Sequence, residues 1–295
     1  MKLFKKSLFL ATFTTFSLFS IQAFDTKHAS ANTPVNCNTI SSYNALATAT
    51  DNNGGCYGTP SVYAIKVFKI GFCTADPTAG RSGNTPDYSQ CTITYSDSSG
   101  TEASFAAGTN VSLPSNRTTP PEPGSYSYAF IEISNTFTIA ASIQLAGDGD
   151  TYYSTTTPDG NNTNPRGTAA SKTSGAEAQF NFPVKTFGAN CDAATNFTLN
   201  GTTLTASLLN GSDQLIGDSN NNAGCTGVSK LLGVANLATP ITISPNTTAC
   251  FVTFTVSNSG SLIQTASSGE RGFPILNNNV YIMPGPFKAS FTVVE

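Results

Sequence analysis

Residues 124–145, GSYSYAFIEISNTFTIAASIQL, limit what this chain can become more than any other stretch. In the second half, Phe137, Ile139, Ala141, Ile143 and Leu145 alternate with Thr136, Thr138, Ala140, Ser142 and Gln144. A period of two places each set on its own face of a pleated strand, apolar inward and mostly polar outward. The first half is apolar on both sides, as in a strand buried on both faces. Asn135 divides the halves, where a bend or bulge would carry the strand from one sheet to another. Sustained helical periodicity is missing downstream of the N-terminal segment, with one short helix at most over 228–237. The predicted class is therefore all-β.

The flanking segments fit that class. Residues 61–73, SVYAIKVFKIGFC, mix β-branched and aromatic residues and read as a buried strand. Residues 74–90 are rich in Gly, Pro, Asp and Asn, a long loop bracketed by Cys73 and Cys91. A disulfide between them would tie one strand end to the next strand, 91–95, and stabilise by roughly 3 kcal/mol on the chain-entropy argument. Weaker strands are predicted over 102–106 and 111–113. Residues 146–175 are poor in apolar side chains and read as an exposed excursion holding one strand at 151–157. Pro183 makes 176–187 an edge strand or a bulge. Asn200-Gly201 between alternating runs signals a hairpin, because both central turn residues need positive φ. Cys250, Val252, Phe254 and Val256 share one face of 249–257, with Cys225 or Cys191 as partners for Cys250. In the final run, 287–294, Phe287, Ala289, Phe291 and Val293 share a face, so the run is expected to dock in a sheet, its own or a neighbour's.

Residues 1–23 read as a secretory signal: Lys2, Lys5 and Lys6, then an apolar run of about 12 residues, too short for a bilayer that needs roughly 20. Spacing favours cleavage after Ala23, and Ala29-Ser30-Ala31 fits the small-x-small rule. The remaining chain carries 11 basic and 17 acidic side chains, a net of −6. A mildly acidic chain without a Lys/Arg cluster argues against nucleic acid and anionic membrane surfaces. Behind a signal peptide, the seven cysteines Cys37, Cys56, Cys73, Cys91, Cys191, Cys225 and Cys250 read as disulfide partners. Their odd number leaves one thiol over. They cluster in two groups, so two β-rich regions are expected: a sandwich domain over 61–187 and a second region over 188–295. Residues 24–60 form a loop-rich lead-in tethered by Cys37 and Cys56.

Catalytic signatures are missing. The one histidine, His28, lies between the two cleavage points, which removes support for a Ser-His-Asp mechanism. Asp148, Asp150 and Asp159 could offer oxygen ligands to calcium, but the EF-hand spacing is not met, and exposed Asp/Gly turns account for the same residues. Glu122, Glu132 and Glu177 are carboxylates that a glycosidase could use only if two converged. Glu132 stands out because its strand neighbours are apolar, and an outward-facing acid is the expectation. Tyr126, Tyr128, Tyr152 and Tyr153 could stack on sugar rings.

Leu113-Pro114 and, after an insertion, Pro123-Gly124-Ser125-Tyr126 with the strand behind them resemble the L-P-x-G-x-Y turn-and-strand of secreted bacterial β-sandwich modules. The resemblance spans 61–145 and implies a fold without an activity. The sequence reading is thus an exported, disulfide-stapled antiparallel β-sandwich, extracellular or on the cell surface, and not an enzyme. It would act as a structural or adhesive subunit that self-associates or binds other surface proteins by strand addition, through Phe287, Phe291 and Val293. The alternative is a secreted glycan-binding module. No cofactor is expected beyond the calcium candidates, and no membrane span after the signal.

Overall fold

A computed structural model describes residues 36–41, 55–80, 83–105, 113–146, 151–156, 168–169, 177–187, 191–199, 202–221, 224–257, 260–265, 280–285 and 288–294. It is almost wholly β, a curled antiparallel sheet stapled by three disulfides. Helix is confined to single 3-10 turns among the described residues, and none is long and apolar enough to cross a membrane.

The strands run in chain order as β1 (Gly55–Gly58), β2 (Val62–Cys73), β3 (Cys91–Ser104), β4 (Gly124–Ser134), β5 (Thr136–Ala140) and β6 (Ser142–Gln144). Then come β7 (Thr151–Tyr153), β8 (Thr168–Ala169), β9 (Phe180–Pro183), β10 (Ala194–Leu199) and β11 (Thr202–Asn210). The last are β12 (Val228–Ile243), β13 (Ala249–Thr255), β14 (Ser261–Thr265), β15 (Val280–Pro284) and β16 (Lys288–Val294). Eight of them, β2 to β5 and β9 to β12, make the main sheet. A smaller sheet holds β1, β14, β15 and β8, and two ribbons pair β13 with β16 and β6 with β7.

The organising stretch becomes β4 and β5, divided at Asn135. Both halves stay beside β2: Ile131 faces Ile70 and Thr138 faces Ala64, while Tyr95 and Ser104 of β3 hold the other side of the same two residues. The strand therefore does not pass to a second sheet at Asn135. What changes there is the outer neighbour, β12 along β4 and β9 along β5. Asn135 links the two, donating its backbone N–H to Ser229 O at 3.2 Å and accepting from Val184 N–H at 2.7 Å. The alternating half keeps its predicted faces: Phe137, Ile139, Ala141, Ile143 and Leu145 are all buried in the principal core.

That core draws on nearly every element. Tyr63, Ile65 and Val67 from β2 meet Ala129, Ile131 and Ile133 from β4, Phe254 from β13, Ile282 from β15 and Tyr152 from β7. Tyr63 is fully buried and donates its hydroxyl to Gly285 O at 3.1 Å, satisfying a group that would otherwise be costly to bury.

Residues 228–237, read as one short helix at most, belong to the sixteen-residue strand β12. Pairing on both sides, with β11 and β4, overrides a weak local preference. The predicted strands 91–95 and 102–106 are one strand, β3, interrupted where Asp97 caps a turn through Ser99 and Thr101. Of the weak strand over 111–113, only Leu113 is described, and it lies outside any strand. The hairpin read from Asn200-Gly201 stands: Leu199 faces Thr202 across it. Pro183 ends β9, which among the described strands pairs only with β5.

Candidate functional site

The main sheet has a second, smaller buried face. Phe130 of β4, Leu232 and Val234 of β12, Leu209 of β11, Leu215 and Cys73 cluster on the side away from the principal core. Two loops cover them. The loop between β2 and β3 lays Tyr88 on Phe130, rings stacked with centroids 4.8 Å apart. The loop between β11 and β12 brings Leu215, and the two loops bond to each other through Gly83 N–H to Leu215 O at 2.9 Å and Leu215 N–H to Asn84 O at 3.0 Å. Gly71 allows this close fit, since a Cβ there would lie 2.4 Å from Thr92 O and 2.6 Å from the Phe130 ring.

Glu132 lies under this cover with a side chain only 1% exposed. The expectation of an outward-facing strand acid is corrected: it points away from the principal core, but into a covered layer and not into water. Its carboxylate is fully engaged. Lys69 Nζ donates to Oε2 at 3.0 Å, Lys230 Nζ to Oε1 at 2.8 Å, and the Tyr88 hydroxyl to Oε2 at 3.3 Å. Lys230 also reaches Asp213 Oδ1 at 2.5 Å. Two ammonium groups thus face two carboxylates, which is how buried charge is tolerated.

Strand register builds the cluster. Lys69 stands directly opposite Glu132 on β2, and Lys230 stands diagonally on β12, facing Ser134. Lys69 reaches this face only because of a β-bulge. Val67 pairs with Ile133 and Lys69 with Glu132, leaving Phe68 as an extra residue. Without it, Lys69 would follow Tyr63, Ile65 and Val67 into the apolar core. The bulged Phe68 ring lies 4.6 Å from Lys230 Nζ, and Lys69 Nζ lies 4.6 Å from the Tyr88 ring. Both are cation–π distances. Gly100, at φ 71°, lets β3 pass the Phe68 ring, which a Cβ would meet at 2.7 Å.

Burial tends to lower the pKa of Lys230, but hydrogen bonds and charge from Asp213 and Glu132 outweigh it and hold the ammonium above its ordinary value. Burial, then the Glu132 charge, pushes the Tyr88 phenol well up. Tyr88 is therefore a donor to Glu132 across the whole neutral range.

The remaining sequence candidates sit apart from this cluster. Glu122 is exposed, and Glu177 is half-buried with Oε2 unpartnered; neither contacts Glu132. Tyr152 is 1% exposed in the principal core, so it offers no ring face to a sugar. Tyr126 is also buried, with Tyr128 and Tyr153 half-buried. Asp148, Asp150, Asp159 and Phe287 lie outside the described residues. Among the described residues no group of His, Cys, Asp and Glu is arranged to hold a metal ion.

The disulfides pair Cys37 with Cys56, Cys73 with Cys91 and Cys191 with Cys225. The last pair overturns the expectation that Cys250 bonds to Cys191 or Cys225. Cys250 faces Val293 in the β13–β16 ribbon, and its side chain and that of Phe291 lie outside the described residues. Val293 is half-buried against the principal core.

Sequence reasoning missed Lys69, Lys230, Tyr88 and Asp213. Glu132 in an apolar run was the one available signal, because its partners come from three distant segments. Compared with family models, curated proteins and solved structures, the chain matches none.

Proposed function

We propose that this chain is an exported structural or adhesive subunit of β-sandwich type, extracellular or on the cell surface, that associates by strand addition. The β13–β16 ribbon carries the reading. Each of its strands pairs only with the other among the described strands, so each has a second edge able to accept a strand. Seven residue pairs hold the ribbon together, from Ala249 opposite Val294 to Thr255 opposite Lys288. Phe254 and Val293 anchor it to the principal core. An anchored ribbon presents its edges in a fixed direction, which lowers the ordering cost of docking a partner strand.

Three disulfides fit an oxidising compartment, in agreement with the signal-like residues 1–23. The Glu132 cluster supports the same reading in a different way. Each of its ionisable groups is committed to another, and its closed cover supports a load-bearing sheet better than a substrate site.

Electron microscopy of the purified mature protein and of the cell-surface fraction tests the proposal. Filaments or ordered assemblies are the expected result, and monomers alone in both samples overturn it.

A further inference from the structure

We propose that strand β10 is a docking edge for β10 of a second copy of this chain, paired antiparallel about Asn196. The inference is independent of the ribbon reading, because it concerns another edge and commits to the partner.

The main sheet has three outer strands among those described: β10, β9 and β3. Two of them are blunted in ways that keep sheet edges from pairing. β9 is four residues long and ends on Pro183. β3 carries Asp97 and Glu102 and is interrupted at the Asp97 turn. Its edge is also partly covered, since Thr118 forms a β-bridge with Tyr95 and Thr119 N–H donates to Thr94 O at 2.8 Å. β10 has none of these devices. From Ala194 to Asn210, the whole β10–β11 hairpin, the sequence holds no charged residue and no proline.

The hydrogen-bonding phase of β10 is set by the residues in front of it. Ala193 faces β11, since its O accepts from Leu208 N–H at 2.8 Å. Asp192 faces the other way: its N–H donates to Thr186 Oγ1 at 3.0 Å, and its O accepts from Phe187 N–H at 2.8 Å. Alternation then turns the backbone groups of Ala194, Asn196 and Thr198 away from β11. No other described strand pairs with them. The base of the strand is fixed. Cys191 is disulfide-bonded to Cys225 and exchanges two backbone bonds with Ser219, and Ala193 N–H donates to Asp218 Oδ1 at 2.7 Å. An edge held in place beforehand costs less to dock.

Register and charge select a second copy. In an antiparallel pair, outward-bonding residues stand opposite one another. Only the register centred on Asn196 uses all three on both copies: Ala194 meets Thr198, and Asn196 meets itself, giving roughly six backbone hydrogen bonds. A strand crossing its own copy at a two-fold axis faces like with like, so charges near the centre would repel. β10 has none, whereas self-pairing of β3 would gather its acids. Asn196 is exposed, and its Oδ1 accepts from Thr205 Oγ1 at 2.7 Å, leaving its amide donors for the partner's Asn196. A second copy also closes both open edges at once, while a lone ligand strand would present a new edge of its own.

Sedimentation of the mature protein across a concentration series, beside two charge variants, tests the proposal. The wild type is expected to form a dimer. Asn196→Lys and Asn196→Asp each set like charges opposite one another, and each alone is expected to dimerise at least about tenfold more weakly. Mixed in equal amounts they are expected to recover the dimer, because Lys then faces Asp. Both are expected to keep the wild-type circular dichroism, since residue 196 is exposed. Association that persists unchanged in both variants belongs to the ribbon and overturns the β10 dimer. Weakening that the mixture does not reverse overturns it too, as does a monomeric wild type. Wild-type dimers that dissolve and recover in this way, without larger assemblies, sink the ribbon reading alone.

Discussion

Strand β4 buries its two faces by opposite means. Toward the principal core it presents Ala129, Ile131 and Ile133, packed against apolar side chains from most of the molecule. Toward the other side it presents Tyr128, Phe130 and Glu132, closed over by two loops, one stapled by a disulfide. The first face needs only shape and apolar area. The second needs donors placed around Glu132, because its carboxylate, 1% exposed, has no water to fall back on. One strand thus shows that burial of a sheet face does not require an apolar sequence, provided its neighbours deliver counter-charges in register.

The comparison can be broken most forcefully on the apolar side. Ile131→Ala, at a residue 2% exposed, is expected to cost about 4 kcal/mol by leaving a cavity, read from urea unfolding. Next, removing the Cys73–Cys91 staple with paired serines should cost roughly 3 kcal/mol through loop entropy. Amide exchange should then rise in the Tyr88 loop while the strands around Ile131 stay protected. If both faces loosen together, they are one cooperative unit and the contrast fails.

On the charged side, Glu132→Gln keeps the shape but leaves two lysines facing one remaining carboxylate. The expected cost is about 3 kcal/mol, the lower end for a broken buried pair, since both lysines retain an edge to water. A loss under about 1 kcal/mol would mean that the cluster behaves as a surface ion pair.

The smallest effect is on pH dependence. Lys230 and Tyr88 both have folded pKa values above their unfolded ones. Their contributions are therefore fully present below the unfolded values, near 10, and are lost as pH rises through the folded values. Denaturation midpoints should decline in alkali, and Tyr88→Phe should flatten part of that decline.

Much of the fold was legible because its signals are local. Alternation over 136–145 gave the inward set of β5 and β6, Asn200-Gly201 gave a hairpin, and loop chemistry between Cys73 and Cys91 gave their pairing. Other elements were not legible because their causes are distant. Residues 228–237 look neutral alone and become strand only between β11 and β4. The charge cluster depends on a single inserted residue, Phe68, which no alternation rule reveals in a run that is apolar on both sides.

By itself the sequence determined the all-β class and the inward face of β5 and β6, which follow from side-chain period, and it offered two local cysteine pairs as candidates without fixing the connectivity. Tertiary structure alone decided that Asn135 exchanges one neighbour for another beside the same β2. It also decided that Cys191 bonds Cys225 and that Glu132 is held between lysines from two flanking strands. Each of these depends on register between segments far apart in the chain, and register is set by the packed sheet as a whole.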